Sequence, residues 1–223
     1  MEAIKINDLR YQKLGESEVI KRILAGEKEL YEILVRRNNQ KLYRVIRSYL
    51  KDGAEIEDTM QNTYLKAYTN LHQFRLDASF STWLIRIGIN DALARVKEKG
   101  KQYAINQDSF FMEQDTILQM PDKNELNPQD KMIKNESKQL LENAIDELEI
   151  KYRTVYILKE VEEMTHDEIA TALDLTVANV KVRLHRAKEM LKEKLYELSI
   201  DKNIFEFGFS KCDRVTENVM RLI

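Results

Sequence analysis

Both prolines of this chain, Pro121 and Pro128, fall in a single stretch, and only six glycines are spread over its 223 residues. Proline removes a backbone donor and clashes with the preceding helical turn, and glycine costs about 1 kcal/mol against alanine inside a helix. A chain so poor in both has little to interrupt helices. The stretch 101–137 is also rich in Gln, Asn, Asp and Lys and shows no sustained helical period, so it reads as a flexible linker between two lobes. Gly15, Gly26, Gly53 and Gly100 fall between helical stretches, where a helix end tolerates left-handed geometry. The expectation is an all-α chain of two helical domains. A domain over 1–100 has helices at 17–24, 27–50, 56–71 and 79–99, the linker follows, a second domain spans 138–198, and a tail occupies 199–223.

The totals narrow the function classes. No segment is apolar for long enough to span a bilayer, and the first ten residues carry no secretory pattern. The single cysteine, Cys212, cannot form an intramolecular disulfide, which fits a reducing cytoplasm. His72, His166 and His185 are far apart and read as surface or interface side chains, so no metal and no cofactor is expected. There is no Gly-rich phosphate loop and no nucleophile motif, and the carboxylates are spread along helix surfaces, so the chain does not read as an enzyme. The formal net charge of -2 argues against a simple polycationic nucleic-acid binder. A DNA-binding reading therefore has to rest on where the charges lie and not on their sum.

The second domain is the most informative. Leu141, Ala144, Ile145 and Leu148 form one apolar stripe and Val155, Leu158 and Val161 another, giving two lead-in helices. In "HDEIATALDLTVANVKVRLHRAKEMLKEKL" (166–195), Thr165 followed by Glu168 makes a capping box and starts a short helix with Ile169, Ala170 and Leu173 on its apolar face. Asp174 breaks the pattern and Thr176 can cap a second helix, in which Val177, Val180, Leu184, Ala187 and Leu191 are the buried stripe. The opposite face carries Asn179, Val182, His185 and Arg186, flanked by Lys181 and Arg183. A short helix, a tight turn and a longer helix with a basic, amide-bearing face is the helix-turn-helix pattern, whose second helix reads base edges in the major groove. A merely solvated charged face is the plainer alternative, but it does not account for cap, turn and stripe together.

In the first domain, helix 79–99 is apolar almost all round. Phe80, Leu84, Ile87 and Ala94 cover one face, and Ile85, Ile89, Leu93 and Val96 cover much of the other. Such a helix is normally buried between neighbours. Arg86, Asn90 and Lys97 remain as a narrow polar strip beside Trp83, the only tryptophan, while Asp91 and Arg95 read as a local helix-surface pair. Cations, an amide and an aromatic ring together suit a single nucleic-acid strand, although on spacing alone a core Trp83 with the other side chains solvated is the slightly better reading.

"EDTMQNTYLKAY" (57–68), "FRLDASFSTWLIRIGIN" (74–90) and the helix-turn-helix together resemble regions two and four of bacterial RNA polymerase sigma factors, and in particular the small extracytoplasmic-function (ECF) group. The resemblance implies a protein that binds core RNA polymerase and directs promoter recognition, melting and transcription initiation. It implies core contacts at Asp58, Gln61 and Asn62. It also implies that the loop 72–79, with Arg75, and the following helix, with Trp83, Arg86, Asn90 and Lys97, hold the melted minus-ten strand. Asn90 would contact the flipped-out base and Trp83 would stand where the strands part. Asn179, Lys181, Val182, Arg183, His185 and Arg186 would face the duplex minus-thirty-five element. The implied location is the cytoplasm, and an anti-sigma factor is admitted as a further partner. Asp174, Ala178 and Leu76 stand where the family often has glycine, and Val182 replaces a small polar residue, which favours contact with a thymine methyl. The tail 205–223 is similar to tails of Bacteroidetes-type members, and Val215, Val219 and Leu222 give it an amphipathic pattern. The alternative is a stand-alone helix-turn-helix transcriptional regulator, which would need a dimerisation surface for symmetric half-sites.

Overall fold

The computed structural model describes residues 14–75, 77–105 and 128–199, and these are all-helical, as the sequence predicts. In the first lobe, α1 (Glu16–Leu24) leads through a short 3-10 turn (Lys28–Leu30) into α2 (Tyr31–Arg47). Next come α3 (Gly53–Thr69), a 3-10 turn (Leu71–Gln73) and α4 (Phe80–Ile105). The second lobe holds α5 (Pro128–Glu147) and α6 (Ile150–Tyr156), which runs into a π-helical turn (Ile157–Val161), then α7 (His166–Leu173) and α8 (Val177–Ser199).

Local chemistry accounts for most of the boundaries. Asp52 caps α3 by accepting the Glu55 N–H at 2.8 Å, so Gly53 is the first helical residue and not a helix terminator. Of the four glycines read as helix ends, Gly26 alone is left-handed, at φ 114°, whereas Gly100 lies inside α4. The stretch read as a linker is helical at both ends: α4 runs on to Ile105, and α5 opens at Pro128. Proline is favoured at a first helical position because its missing N–H would be unbonded there in any case. The remainder of that stretch, 106–127, lies outside the described residues, as do Leu76 and the tail from 200 onward.

α4 packs against α2 and α3 on one side and against α7 of the second lobe on the other, which is why it is apolar almost all round. Leu42, Ile46, Phe80, Leu84 and Ile85 of the first lobe belong to one continuous buried cluster with Val155, Leu158, Ile169 and Val180 of the second. A smaller cluster of Ala144, Ile145, Leu148, Tyr152, Ala187 and Leu191 joins α5, α6 and α8. Val161 is exposed, contrary to its place in the apolar period, because the π-turn adds a residue to the turn and rotates it outward. Leu141 also lies on the exposed edge of its stripe.

Polar contacts join the lobes as well. Arg44 donates to Glu162 at 2.9 Å, Arg47 grips both oxygens of Asp146 at 3.1 and 2.7 Å, and the Ser48 and Thr154 hydroxyls lie 3.3 Å apart.

Candidate nucleic-acid interface

The helix-turn-helix is built from local bonds. The Thr165 hydroxyl accepts the Glu168 N–H at 3.2 Å, and the Glu168 carboxylate accepts the Thr165 N–H at 2.8 Å, completing the capping box. Asp174 sits at φ 54° and ψ 51°, the left-handed conformation that ends α7. Aspartate adopts it at less cost than most side chains, so no glycine is required. Thr176 Oγ1 then accepts the Asn179 N–H at 3.2 Å and starts α8. Val180, Leu184, Ala187 and Leu191 are buried, which fixes the rotation of α8 and turns its other face outward.

On that outer face Asn179, Lys181, Val182, His185 and Arg186 are exposed. Val182 is 51% exposed, an apolar side chain with no core to join. Two shallow grooves run beside the helix. One is lined by Val182, His185, Arg186 and Met190 with Glu189 and Glu193, the other by His166, Lys181, His185, Lys188 and Lys192 with Leu184 and Glu189. Lys188 and Lys192 extend the basic face by further helical turns, an i, i+4, i+7, i+11 continuation of Lys181 and His185 that the sequence reading did not single out. Lys188 also pairs with Glu160 at 2.8 Å. Arg186 Nη1 donates to the Tyr152 hydroxyl at 3.4 Å, and this bond, helped by Lys151, holds the phenol below its ordinary pKa. The guanidinium is thereby steadied without being covered. Arg183 differs from its neighbours: it is half-buried, and its charge acts on Tyr49 of the first lobe.

In the first lobe Arg86, Asn90, Ala94 and Lys97 are exposed along one edge of α4. Trp83 lies at the head of that strip but is half-buried, its ring 5.3 Å from Phe74 and 5.8 Å from Phe80. It is therefore both a packing residue and a partly open aromatic face. The start of α4 is held by Ser79, whose hydroxyl accepts the Thr82 N–H at 3.1 Å, and by Glu16 of α1, which accepts the Phe80 N–H at 2.7 Å. Arg75 is exposed in the loop that leads in. Asp91 and Arg95 do not pair with each other: Asp91 binds Lys66, and Arg95 lies 3.9 Å from Asp58, because both point at α3 and meet longer-range partners there.

Asp58, Gln61 and Asn62 are exposed along α3, opposite the buried Thr59, Thr63 and Ala67. Leu65 continues that outer stripe at i, i+3, i+4, i+7 and is 65% exposed. The spacing alone could have found it as the apolar member of an interaction face. Tyr64 holds α3 to α2 from below, donating its hydroxyl to the Val35 carbonyl at 3.1 Å while its own carbonyl accepts from Tyr31 at 2.8 Å. Burial pushes both phenols well above their ordinary pKa.

Among the described residues no group of three or more His, Cys, Asp or Glu side chains could hold a metal ion, and no helix is long and apolar enough to cross a membrane. The geometry is that of two helical modules, one exposing a polar strip with an aromatic at its head and the other a helix-turn-helix whose second helix has a basic outer face. Comparison with known proteins agrees. The family model for Sigma-70 region 2 matches residues 34–102, and that for Sigma-70, region 4 matches 138–191. The ECF RNA polymerase sigma factor SigW of Bacillus subtilis is 30% identical over 179 residues, spanning 80% of this chain and 96% of that protein. The RNA polymerase sigma-H factor of Pseudomonas aeruginosa is 29% identical over 187 residues, spanning 82% and 95%. The fold is shared with CnrH, solved with the cytosolic domain of CnrY, at a TM-score of 0.57 and 21% identity over 82% of this chain and 97% of that one. It is also shared with RpoE of Bartonella quintana, solved with the anti-sigma factor NepR, at 0.60 and 19% over 74% and 96%. Two modules in this order, matched along nearly the whole length of SigW, make this chain a member of the ECF RNA polymerase sigma factor family and so a regulatory protein, not an enzyme.

Proposed function

We propose that this chain is a promoter-specificity subunit: it binds core RNA polymerase, reads both promoter elements, and stabilises the melted strand at initiation. The domain over 1–100 takes the core and the minus-ten element, 138–198 takes the minus-thirty-five duplex, and 101–137 joins them. The observation that carries the reading is the pair of outward faces on separate modules: Arg86, Asn90 and Lys97 on α4, and Lys181, Val182, His185 and Arg186 on α8.

The two faces suit different forms of DNA. A helix with a basic, amide-bearing edge and a bare valine fits the major groove, where arginine pairs with guanine and an apolar group meets a thymine methyl. The α4 strip lies on a helix edge with Arg75 and the half-open Trp83 at one end. That combination fits a single strand: Arg75, Arg86 and Lys97 meet phosphates, Asn90 takes the edge of an unstacked base, and the Trp83 ring marks the point where the strands part. A net charge of -2 is compatible with this, because affinity for the promoter arises within the larger enzyme and the cations are concentrated locally. Asp58, Gln61, Asn62 and Leu65 form the face for core polymerase, a polar stripe with one apolar anchor. The protein works in the cytoplasm with the polymerase. An anti-sigma factor is a further partner, in keeping with the complex of RpoE with the anti-sigma factor NepR.

The test is co-migration with purified core polymerase on size exclusion. A stoichiometric complex supports the reading. A chain that stays free of active core while binding DNA by itself would favour a stand-alone regulator.

A further inference from the structure

Tyr152 and Arg186 stand 34 positions apart, and the packing of α6 along α8 brings the phenol of one to 3.4 Å from the guanidinium of the other. The Tyr152 ring belongs to the small buried cluster with Ala144, Ile145, Leu148, Ala187 and Leu191, and the residue is only 8% exposed. Tyrosine suits such a place because its body is apolar and its tip polar: the ring is locked in the core while the hydroxyl reaches the exposed Arg186. The ring is fixed from its own helix as well. The Tyr152 N–H donates to the Glu149 carbonyl at 2.9 Å, and Lys151, held by the Glu149 carboxylate at 2.6 Å, lies 4.8 Å from the ring centroid.

A phenol is an uncommon choice of partner here. Other arginines on this surface pair with carboxylates, as Arg22 does with Glu27 and Arg36 with Glu32. Glu189 and Glu193 line the same groove as Arg186, yet among the described residues Arg186 makes no ion pair with either. A carboxylate would cancel the charge and compete with DNA for the guanidinium donors. A phenol accepts one N–H of Nη1 and leaves the charge and the remaining donors available. The hold also bears on selectivity. A loose arginine has many rotamers to lose on binding, and it swings readily to the nearest phosphate, a contact that carries no sequence information.

We propose that Tyr152 is a positioning residue for promoter selectivity: anchored between α5, α6 and α8, its hydroxyl aims the Arg186 guanidinium at a base edge instead of the phosphate backbone. The proposal rests on the specificity-subunit reading above, with Arg186 as a base contact.

The experiment uses the full chain with core polymerase on a barcoded promoter library randomised over the upstream duplex element, and sequencing of transcripts reads the base preference at each position. Arg186→Ala should lower the preference at its position by about tenfold. Tyr152→Phe, which keeps the ring and its packing, should lower it at the same position by about threefold, with the other positions unchanged. Adding Tyr152→Phe to Arg186→Ala should change nothing further. Full preference in Tyr152→Phe, or a loss spread evenly over all positions, would overturn the proposal, since a packing role alone weakens every promoter alike. Unchanged preference in Arg186→Ala would remove the base contact, and a wild type that directs no transcription by active core would remove the specificity-subunit reading. The proposal falls with either, and the wild-type and Arg186→Ala arms tell those failures from its own. A second readout needs no Tyr152 variant. The Tyr152 phenol is held below its ordinary pKa chiefly by the Arg186 bond, so its midpoint should rise in Arg186→Ala, as NMR titration of isotope-labelled tyrosine rings would report. A midpoint that stays in place would overturn the bond on which the positioning depends.

Discussion

Removing the Thr165 hydroxyl should loosen the helix-turn-helix at its first turn by an amount the structure lets us estimate. Thr165→Ala deletes the acceptor of the Glu168 N–H, and Glu168→Gln weakens the reciprocal bond by removing the charge that accepts the Thr165 N–H. Loss of a threonine cap costs about 1 kcal/mol, and the charge-assisted partner contributes a similar amount. The two hydroxyl and carboxylate oxygens also lie 2.9 Å apart, so the changes are coupled. The double variant should therefore lose less than the sum of the singles, by about 0.5 kcal/mol or more. In a chain of this size each 1 kcal/mol moves the melting midpoint by about 2–4 °C, within reach of thermal denaturation followed by circular dichroism. The pH dependence carries a sign. The Glu168 pKa lies below 4.5, first because the Thr165 backbone N–H bonds the carboxylate, with burial opposing and the Thr165 hydroxyl adding to the fall. A depressed carboxylate pKa stabilises the fold above the unfolded value, and the contribution disappears as pH falls through the folded value. The gap between wild type and Glu168→Gln should thus be full above about pH 4.5 and shrink on acidification below it. Additive single effects, or a gap that widens in acid, would refute the reciprocal cap.

Three further outcomes follow from the site. Arg186→Ala removes an exposed cation steadied by Tyr152; it should reduce selectivity for the upstream element by about tenfold or more, with core binding and stability unchanged, as promoter competition and thermal melts would report. Asn90→Ala should impair opening of duplex promoters more than use of pre-melted templates, and equal defects on both would assign Asn90 a purely structural role. Gly88 lies where α4 crosses α2, and a Cβ there would come within 2.8 Å of Leu42 Cδ1, in a core where Leu42 is fully buried. Gly88→Ala gains about 1 kcal/mol of helix propensity against about 1–3 kcal/mol of overpacking, so a net loss near 1 kcal/mol is expected in denaturant unfolding.

What could be read from the sequence was what is local. The capping box, the left-handed Asp174 and the Thr176 cap each depend on residues within a few positions, and the stripe of Val180, Leu184, Ala187 and Leu191 follows from helical period. The polar strip of α4 was legible for the same reason. Partner choice was not. Asp91 and Arg95 have the i, i+4 spacing of a surface pair, yet α3 offers each a partner whose distance in sequence hides it. The same holds for Arg44 and Glu162, 118 positions apart, and for the half-burial of Arg183, which only the neighbouring lobe imposes. Val161 illustrates a local failure: a π-turn changes the period on which the apolar pattern is read.

The central claim is tested most directly by transcription of a genomic fragment library with purified core polymerase, with and without this protein. The account predicts new, discrete start sites that appear only with the protein and share an upstream duplex element and a melted element. An unchanged transcript profile, from core polymerase active with another specificity subunit, would contradict it.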